Sequence, residues 1–448
     1  MKSKIKHIVV HILLAESRAV IRKYKPTIIG VTGSVGKTST KDAIYTLLAP
    51  HTHVRKSEKS FNSEIGVPLT ILGCENGWNS PTLWLKNIFW GLELICTKKE
   101  YPKCLILEIG ADHPGDIKSL TSWLKPDIAV ITAVSKIPVH VEFFSSPKEV
   151  LNEKLELARA VKSTGKLVLP AEDADILAVR NETPELGKIP CVTFAIDSSA
   201  DVSISDYAIS YSSTDATPTG MSFKINSEGN SIPTRIDGVL GKQPLYSMVA
   251  ALATARAYGI SISSLISTIP THKAPVGRMN IIPGLNSSTL IDDTYNASPD
   301  AVLEALTVLE NVKRETPESR KVAALGDMME LGSYSLEQHK NVGMKVAKIF
   351  SKKETSGNDL LVTVGIRARD IAVGAHEAGL ALENIKSFDT SLEAGEYMKS
   401  VIKKGDTILI KGSQSSRMER VTKALLAESQ KDRALELLVR QDPEWQVR

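Results

Sequence analysis

Two α/β domains in series, the first built on a mostly parallel sheet with an antiparallel annex, are predicted by three observations. A glycine-rich turn follows a short apolar run near the start of the chain, strand-like apolar runs alternate with helical patterns from residue 27 to about 200, and the same alternation returns after residue 275. At 448 residues the chain exceeds one ordinary core, and 42% hydrophobic with only 5% aromatic content suits aliphatic α/β layers.

Taken in order, residues 1–26 carry basic residues and the apolar run Ile8 to Ala15, which Glu16 and Arg18 interrupt and no small-residue cleavage site follows. They read as an amphipathic helix leading into the first strand rather than a signal peptide, with docking on a membrane surface or a partner protein as the second reading. Thr27–Val31, Cys104–Ile109, Asp127–Val134 and Lys166–Leu169 read as strands, with room between them for crossover helices, Lys37 to Leu48 being the first. Trp78 to Ile95 gathers Trp78, Trp84 and Trp90 with Phe89, but Lys86, Asn87 and Glu93 exclude a membrane span, and core or partner-facing packing is expected.

Between about 200 and 240, Asp201–Tyr211, Met221–Asn226 and Ile232–Val239 alternate as antiparallel strands do, and an alanine-rich helix follows from Leu245 to Tyr258. Thr271 to Gly277 has the composition of a hinge. Strand-like runs resume at Thr289–Asp292, Lys321–Leu325, Asp359–Val364 and Asp406–Ile410. The expected division is therefore a helix over 1–26, a central nucleotide-binding domain over 27–272, a second α/β domain over 273–425 and a charged helical tail over 426–448.

The 55 basic and 51 acidic residues leave a formal charge of +4 with no long basic block, so nucleic acid is not the expected partner. Cys74, Cys96, Cys104 and Cys191 form no C-x-x-C pair and read as reduced thiols of a cytoplasmic protein.

The turn Gly30-Val-Thr-Gly-Ser-Val-Gly-Lys-Thr38 has the context of a phosphate-binding loop: a strand before it and a helix after it. Gly33, Ser34, Val35 and Gly36 would present backbone N–H groups to phosphate, Lys37 would reach the outer phosphates, and Thr38, with Ser39 beside it, could ligate Mg²⁺. The pattern departs from G-x-x-x-x-G-K-[ST] in having Val31 at the first glycine. Glu108 ends an apolar strand, where a metal ligand is expected in such a sheet. Asp112, His113 and Asp116 are weaker candidates, His140 lies just past the next strand, and Lys154 shares a helical segment with Leu151 and Leu155.

Together with these, S-F-N-S-E-I-G-V-P-L-T (60–70), L-E-I-G-A-D-H-P-G-D-I (107–117), G-R-M (277–279), D-D-T-Y-N-A-S-P (292–299), L-G-D-M-M-E-L-G (325–332) and K-G-S-Q-S-S-R-M-E (411–419) resemble the Mur ligase family, and within it the branch that adds D-alanyl-D-alanine. The resemblance implies a P-loop NTPase-like central domain, a Rossmann-like C-terminal domain, and ATP-dependent amide-bond formation through an acyl phosphate in cell-wall peptide assembly. Lys37 and the loop would hold ATP, Thr38 and Glu108 a first Mg²⁺, and His140 a second. Lys154 would carry a CO₂-derived carbamate, which turns a cation into an anionic oxygen ligand. Arg278 would reach the phosphates, Asp293 the ribose hydroxyls, and Asn296 would lie beside the nucleotide. Asn62, Glu64, Asp327, Glu330, Lys411, Ser413 and Arg417 would face the substrates.

Two departures stand out. Gly241-Lys-Gln243-Pro244-Leu-Tyr-Ser247 replaces the family's G-x-H-N-x-x-N, so the adenine end must be built differently. The family's N-terminal uridine-nucleotide domain is also not expected within the 26 residues before the first strand. The substrate's far end would then be held by another protein, go unrecognised, or belong to a different, lipid-linked carboxylate. The expected partners are thus a small or lipid-linked peptidyl substrate and an amino-acid or dipeptide acceptor, for a monomer in the cytoplasm or at the inner face of its membrane. The alternatives are a Mur-type ligase for another peptide or amino-acid polymer, folate-like glutamate chains included, and a nucleotide-binding partner or sensor that has lost catalysis.

Overall fold

The computed structural model describes residues 3–58, 61–77, 80–135, 138, 140–351, 358–442 and 445, with side chains from residue 8 onward. Trp78 and the last residues of the expected tail lie outside them.

Nine strands form the first sheet: β1 (Thr27–Thr32), β2 (Val54–Lys56), β3 (Cys104–Glu108), β4 (Ile128–Ile131), β5 (Lys166–Pro170), β6 (Cys191–Ile196), β7 (Val202–Tyr211), β8 (Pro218–Ser227) and β9 (Asn230–Asp237). Their spatial order is β2-β3-β1-β4-β5-β6-β7-β8-β9, parallel as far as β7 and antiparallel from there. β3 and β4 are buried along their whole length, which is why they read as unbroken apolar runs. β8 alternates because one face is open to solvent. The three-residue β2 is an edge strand paired only with β3, whereas β6 lies inside the sheet between β5 and β7.

The six strands of the second sheet are β10 (Asn280–Pro283), β11 (Thr289–Asp293), β12 (Lys321–Gly326), β13 (Leu360–Val364), β14 (Ile385–Phe388) and β15 (Thr407–Lys411), in the order β10-β11-β15-β12-β13-β14. Only β10 is antiparallel. The chain passes between the sheets over residues 272–279, and Leu240 N–H donates to the Met279 carbonyl while Ile281 N–H donates to that of Gly238. One apolar cluster runs on from Ile44 and Leu47 under the first sheet to Leu306 and Val342 under the second, so the two layers share a core.

The helix α1 (Ser3–Tyr24) packs on α3 (Gly66–Leu72) and α4 (Pro81–Cys96), while α2 (Lys37–Leu48) and the helix Lys242–Tyr258 cover the opposite face of the first sheet. Lys23 Nζ donates to the Leu94 and Ile95 carbonyls at 2.8 and 3.1 Å and to that of Thr97, capping the C-terminal end of α4. No helix among the described residues is long and apolar enough to cross a membrane. The tail is not one helix: after Leu425 the chain forms short turns at Glu428–Arg433 and Ala434–Leu437 and folds back on the second sheet.

The α1–α4 contact holds one uncompensated group. The Glu16 carboxylate is 4% exposed, faces Gly91, and has no hydrogen-bond partner among the described residues for either oxygen. Burial pushes it up to about 7. A carboxyl raised in the fold from its ordinary value of 4.5 gives its greatest stability below that value and loses it as pH rises toward 7. Glu16→Gln is expected to raise the unfolding temperature at pH 8 by about 2–4 °C and to leave it nearly unchanged at pH 4, as read by calorimetry.

Candidate active site

Between β1 and α2 the chain makes a tight turn that only glycine allows at two positions. Gly33 has φ +150°, and a Cβ there would lie 1.9 Å from Thr132 Oγ1 on the end of β4. Gly36, with φ +85°, is the residue before α2. The turn is pinned to β4 by Ser34 and Val35, whose N–H groups donate to the Ala133 carbonyl at 2.9 and 3.2 Å, and by Thr132 Oγ1, which donates to the Val35 carbonyl at 2.7 Å. The first turn of α2, from Lys37 to Ser39, then opens on the cleft with its positive end.

That cleft is a cavity of about 710 Å³ between the C-terminal ends of both sheets. From the first sheet it receives Ser34 to Thr38, Asn62, Glu108, Asp112, His140 and Lys154; from the second come Arg278, Asn296, Glu330, Lys411, Ser413 and Arg417. Gly33 supports the turn from below, and Ser39 faces a neighbouring pocket of only about 20 Å³ beside Gln243, Pro244 and Ser247, too small to hold an adenine ring as it stands.

Lys37 arches back so that Nζ donates to the Gly33 carbonyl at 2.9 Å. Burial lowers its pKa and Glu108 opposes that shift. Glu108 is 1% exposed; Asn62 Nδ2 donates to Oε1 at 3.4 Å, and Oε2 has no hydrogen-bond partner among the described residues. Its backbone N–H donates to Ser57 Oγ at 3.1 Å. Beneath it the buried Lys41 donates to the Ser57 carbonyl at 2.7 Å and lies 4.0 Å from Glu108 Oε2. Sequence reading missed Lys41, although its place one helical turn after Lys37 puts both ammonium groups on one face of α2.

Lys154 is carried by α6 (Pro147–Arg159) and is 4% exposed. Desolvation first, then the neighbouring charge of Lys37, brings its pKa down to about 7. The next residue back, Glu153, fixes α6 by accepting the N–H groups of Gly115, Ile117 and Lys118 at 3.0, 2.7 and 3.2 Å. His140, in left-handed backbone with φ +70°, reaches across the cleft: Nδ1 is 2.7 Å from Glu330 Oε2, and Nε2 is 3.5 Å from Asp112 Oδ1. Glu330 is also left-handed, with φ +63°, and His140 holds its carboxyl below the ordinary value.

On the opposite wall Arg278 lies 4.1 Å over the Tyr295 ring, its Nε without a hydrogen-bond partner among the described residues. Asp293 ends β11 and pairs through Oδ2 with Lys411 Nζ at 2.6 Å, leaving Oδ1 buried and without a hydrogen bond from a described residue. Lys411 also donates to the Asn296 carbonyl at 2.9 Å. Arg417 Nε donates to Glu419 Oε1 at 2.6 Å and its guanidinium lies 5.4 Å from the Trp445 ring, which lines the cleft from the tail.

Of the expected substrate residues, Asn62, Glu330, Lys411, Ser413 and Arg417 line the cleft, with Lys411 paired to Asp293 and Glu330 beside His140, whereas the expectation for Asp327 and Glu64 is corrected. Asp327 does not line the cleft: its Oδ1 accepts the Ala368 N–H at 2.7 Å and its carbonyl the Ser413 N–H at 2.9 Å, so it joins two turns of the second domain. Glu64 is exposed and does not line the cleft.

A strand–turn–helix phosphate loop facing a second α/β sheet across a basic cleft defines a nucleotide-dependent enzyme whose site lies between two α/β layers. The Mur ligase middle domain model matches residues 31–83 and 86–255, and the Mur ligase glutamate ligase domain model matches 277–414, so the chain belongs to the Mur ligase family of ATP-dependent, ADP-forming ligases. A UDP-N-acetylmuramoyl-tripeptide–D-alanyl-D-alanine ligase of Mycobacterium bovis is 28% identical over 414 residues, covering 90% of this chain and 73% of its own. The ligase of the same name from Bacillus subtilis is 26% identical, covering 92% and 78%. The crystal structure of the MurF ligase of Thermotoga maritima in complex with ADP shares the fold, with a TM-score of 0.73 at 24% identity over 95% of this chain and 84% of that one.

Removing the Lys411 amine would strand Asp293 and its charge. Lys411→Ala is expected to destabilise the second domain by about 3–5 kcal/mol in denaturant unfolding. Lys411→Met with Asp293→Asn is expected to recover most of that loss while ADP affinity, read by calorimetric titration, stays at least about tenfold weaker.

Proposed function

We propose that the chain joins D-alanyl-D-alanine to a muramoyl-peptide carboxylate in cell-wall precursor synthesis, with ATP as the energy source and an acyl phosphate as the activated intermediate. The observation that carries the reading is the single cleft that gathers Lys37, Glu108 and Lys154 from one sheet and Arg278 and Asn296 from the other. The dipeptide and the muramoyl peptide are chosen on the names of the relatives.

In this reading Lys37 and the first N–H groups of α2 hold the outer phosphates, and Arg278 approaches them from the opposite wall. Asp293 offers its remaining oxygen to the ribose hydroxyls. A substrate carboxylate oxygen attacks the γ-phosphorus as the bond to ADP breaks; the incoming amine then attacks the acyl carbon, phosphate leaves, and the amine gives up a proton. Positioning and charge neutralisation by the cleft supply most of the rate.

The donor set fits Mg²⁺ at Thr38 and Glu108, because Glu108 Oε2 is a buried acceptor that receives no hydrogen bond from a described residue, Lys41 Nζ lying 4.0 Å away. Bound there, the metal would neutralise charge on the transferred phosphoryl group. A second ion would be held by His140 and Lys154. As an ammonium Lys154 cannot ligate it; a pKa near 7, however, leaves much of the amine neutral at cellular pH, and only the neutral amine adds to CO₂ with loss of a proton.

Carbamate occupancy should therefore rise from pH 6 to pH 8. In ¹³C-bicarbonate the protein is expected to show a carbamate carbon resonance that grows over that range and is missing in Lys154→Ala. That variant is expected to lose acceptor-stimulated phosphate release by about two orders of magnitude or more, with partial rescue by a short carboxylic acid. Full activity of Lys154→Ala would remove the carbamate from the mechanism. Intact ATP binding with no acceptor-stimulated turnover on any muramoyl peptide would remove the ligase reading.

A further inference from the structure

The pair α1 and α4 presents a surface that ligation does not use. The inward stripe of α4, Trp84, Asn87, Gly91 and Leu94, is buried, as the polar-outside rule requires. Its opposite stripe breaks that rule: Leu85, Phe89 and Leu92 follow one another at helical spacing and are 55%, 67% and 45% exposed. Trp90 borders the stripe, anchored by Nε1 donating to the Leu72 carbonyl at 3.0 Å, with Lys99 Nζ 5.7 Å from its ring.

Charge is segregated onto α1 and the segment that follows α4, Lys86 and Glu93 balancing within α4 itself. Residues 1–26 contain seven Lys and Arg against one acidic residue, the buried Glu16, and residues 81–103 contain four Lys against two Glu. These segments thus carry a net +8 in a chain of +4, which leaves everything else at −4. Arg22 and Lys86 are exposed and form no salt bridge among the described residues. An exposed apolar stripe beside a basic segment, in a chain whose remaining residues are net acidic, matches an anionic bilayer interface: the stripe would enter the headgroup boundary and the cations would meet lipid phosphates. A second copy docking through the same face would bring like charge against like charge.

We propose that the α1–α4 face seats this protein on membranes rich in anionic phospholipid, with Leu85, Phe89, Leu92 and Trp90 entering the interface and Arg22 and Lys86 among the cations that hold it there. The proposal is independent of which carboxylate the cleft ligates.

Flotation of the full chain with mixed phosphatidylcholine–phosphatidylglycerol vesicles, against phosphatidylcholine alone, tests it. Binding is expected only to the mixed vesicles and should weaken as salt is raised. Leu85→Asp/Phe89→Asp is expected to weaken it by at least about tenfold, and Arg22→Glu/Lys86→Glu by roughly fivefold for each cation removed. ADP binding and circular dichroism should be unchanged in both variants. Failure to bind mixed vesicles, or equal binding by the Asp variant, overturns the proposal. So does a dimer, seen in sedimentation velocity without vesicle binding, that the Asp variant dissolves, since it would assign the face to a second copy.

Discussion

Two lysines brought out of water into one cleft are the constraint around which the site is arranged. Burial lowers the affinity of both Lys37 and Lys154 for a proton, and the charge of Lys37 lowers that of Lys154 further. Unpaired buried charge costs several kcal/mol, so such a cleft is stable only if anions complete it or if one amine gives up its proton. Glu108 meets part of the demand for Lys37. The same burial that makes Lys154 costly as a cation brings its pKa down to about 7, which is the property the proposed carbamate draws on.

The two halves are held in register by contacts of different character. Apolar packing beneath the sheets is continuous, while at the mouth of the cleft the link is polar, through Glu330 and His140. Both residues are in left-handed backbone, a conformation that costs about 1 kcal/mol or more outside glycine. Left-handed backbone on both sides of one polar contact marks a place where geometry is kept at a cost in local stability. The contact lies apart from the continuous apolar core below it.

Much of this was legible because parallel sheets simplify inference. Buried strands are unbroken apolar runs, and the polar residue that ends one, such as Glu108, falls on the functional edge. The phosphate turn was readable for the same reason, its glycines being demanded by backbone angles that the sequence alone implies. Illegible were the short edge strands β2, β10 and β14, the interior strand β6, and the partners of charges in the second domain. Motif order put Lys411, Glu330 and Asp327 near substrate, but a motif carries no information about which carboxylate an amine will find. Lys411 pairs with Asp293 while still lining the cleft, and Asp327 is taken up by the turn at Ala368; both pairings join residues far apart in the chain.

The end of the chain illustrates how a segment without sequence pattern can still be specified. Arg440 is buried, which lowers its pKa, yet its guanidinium is answered by Glu419 Oε2 at 3.2 Å, by the Thr294 carbonyl at 3.0 Å and by the Tyr295 carbonyl. Val439 lies against Gly277, where a Cβ would come within 2.8 Å of its Cγ1. The tail therefore closes over the Gly277–Tyr295 turn, and Tyr295 is the ring on which Arg278 rests. Glu419 answers Arg440 through one oxygen and Arg417 through the other, so one buried carboxylate ties the strap to a second cleft arginine. Arg278 and Arg417 thus owe their positions to residues more than a hundred and about twenty positions away, and a helical-wheel reading of the tail had no means of finding that dependence.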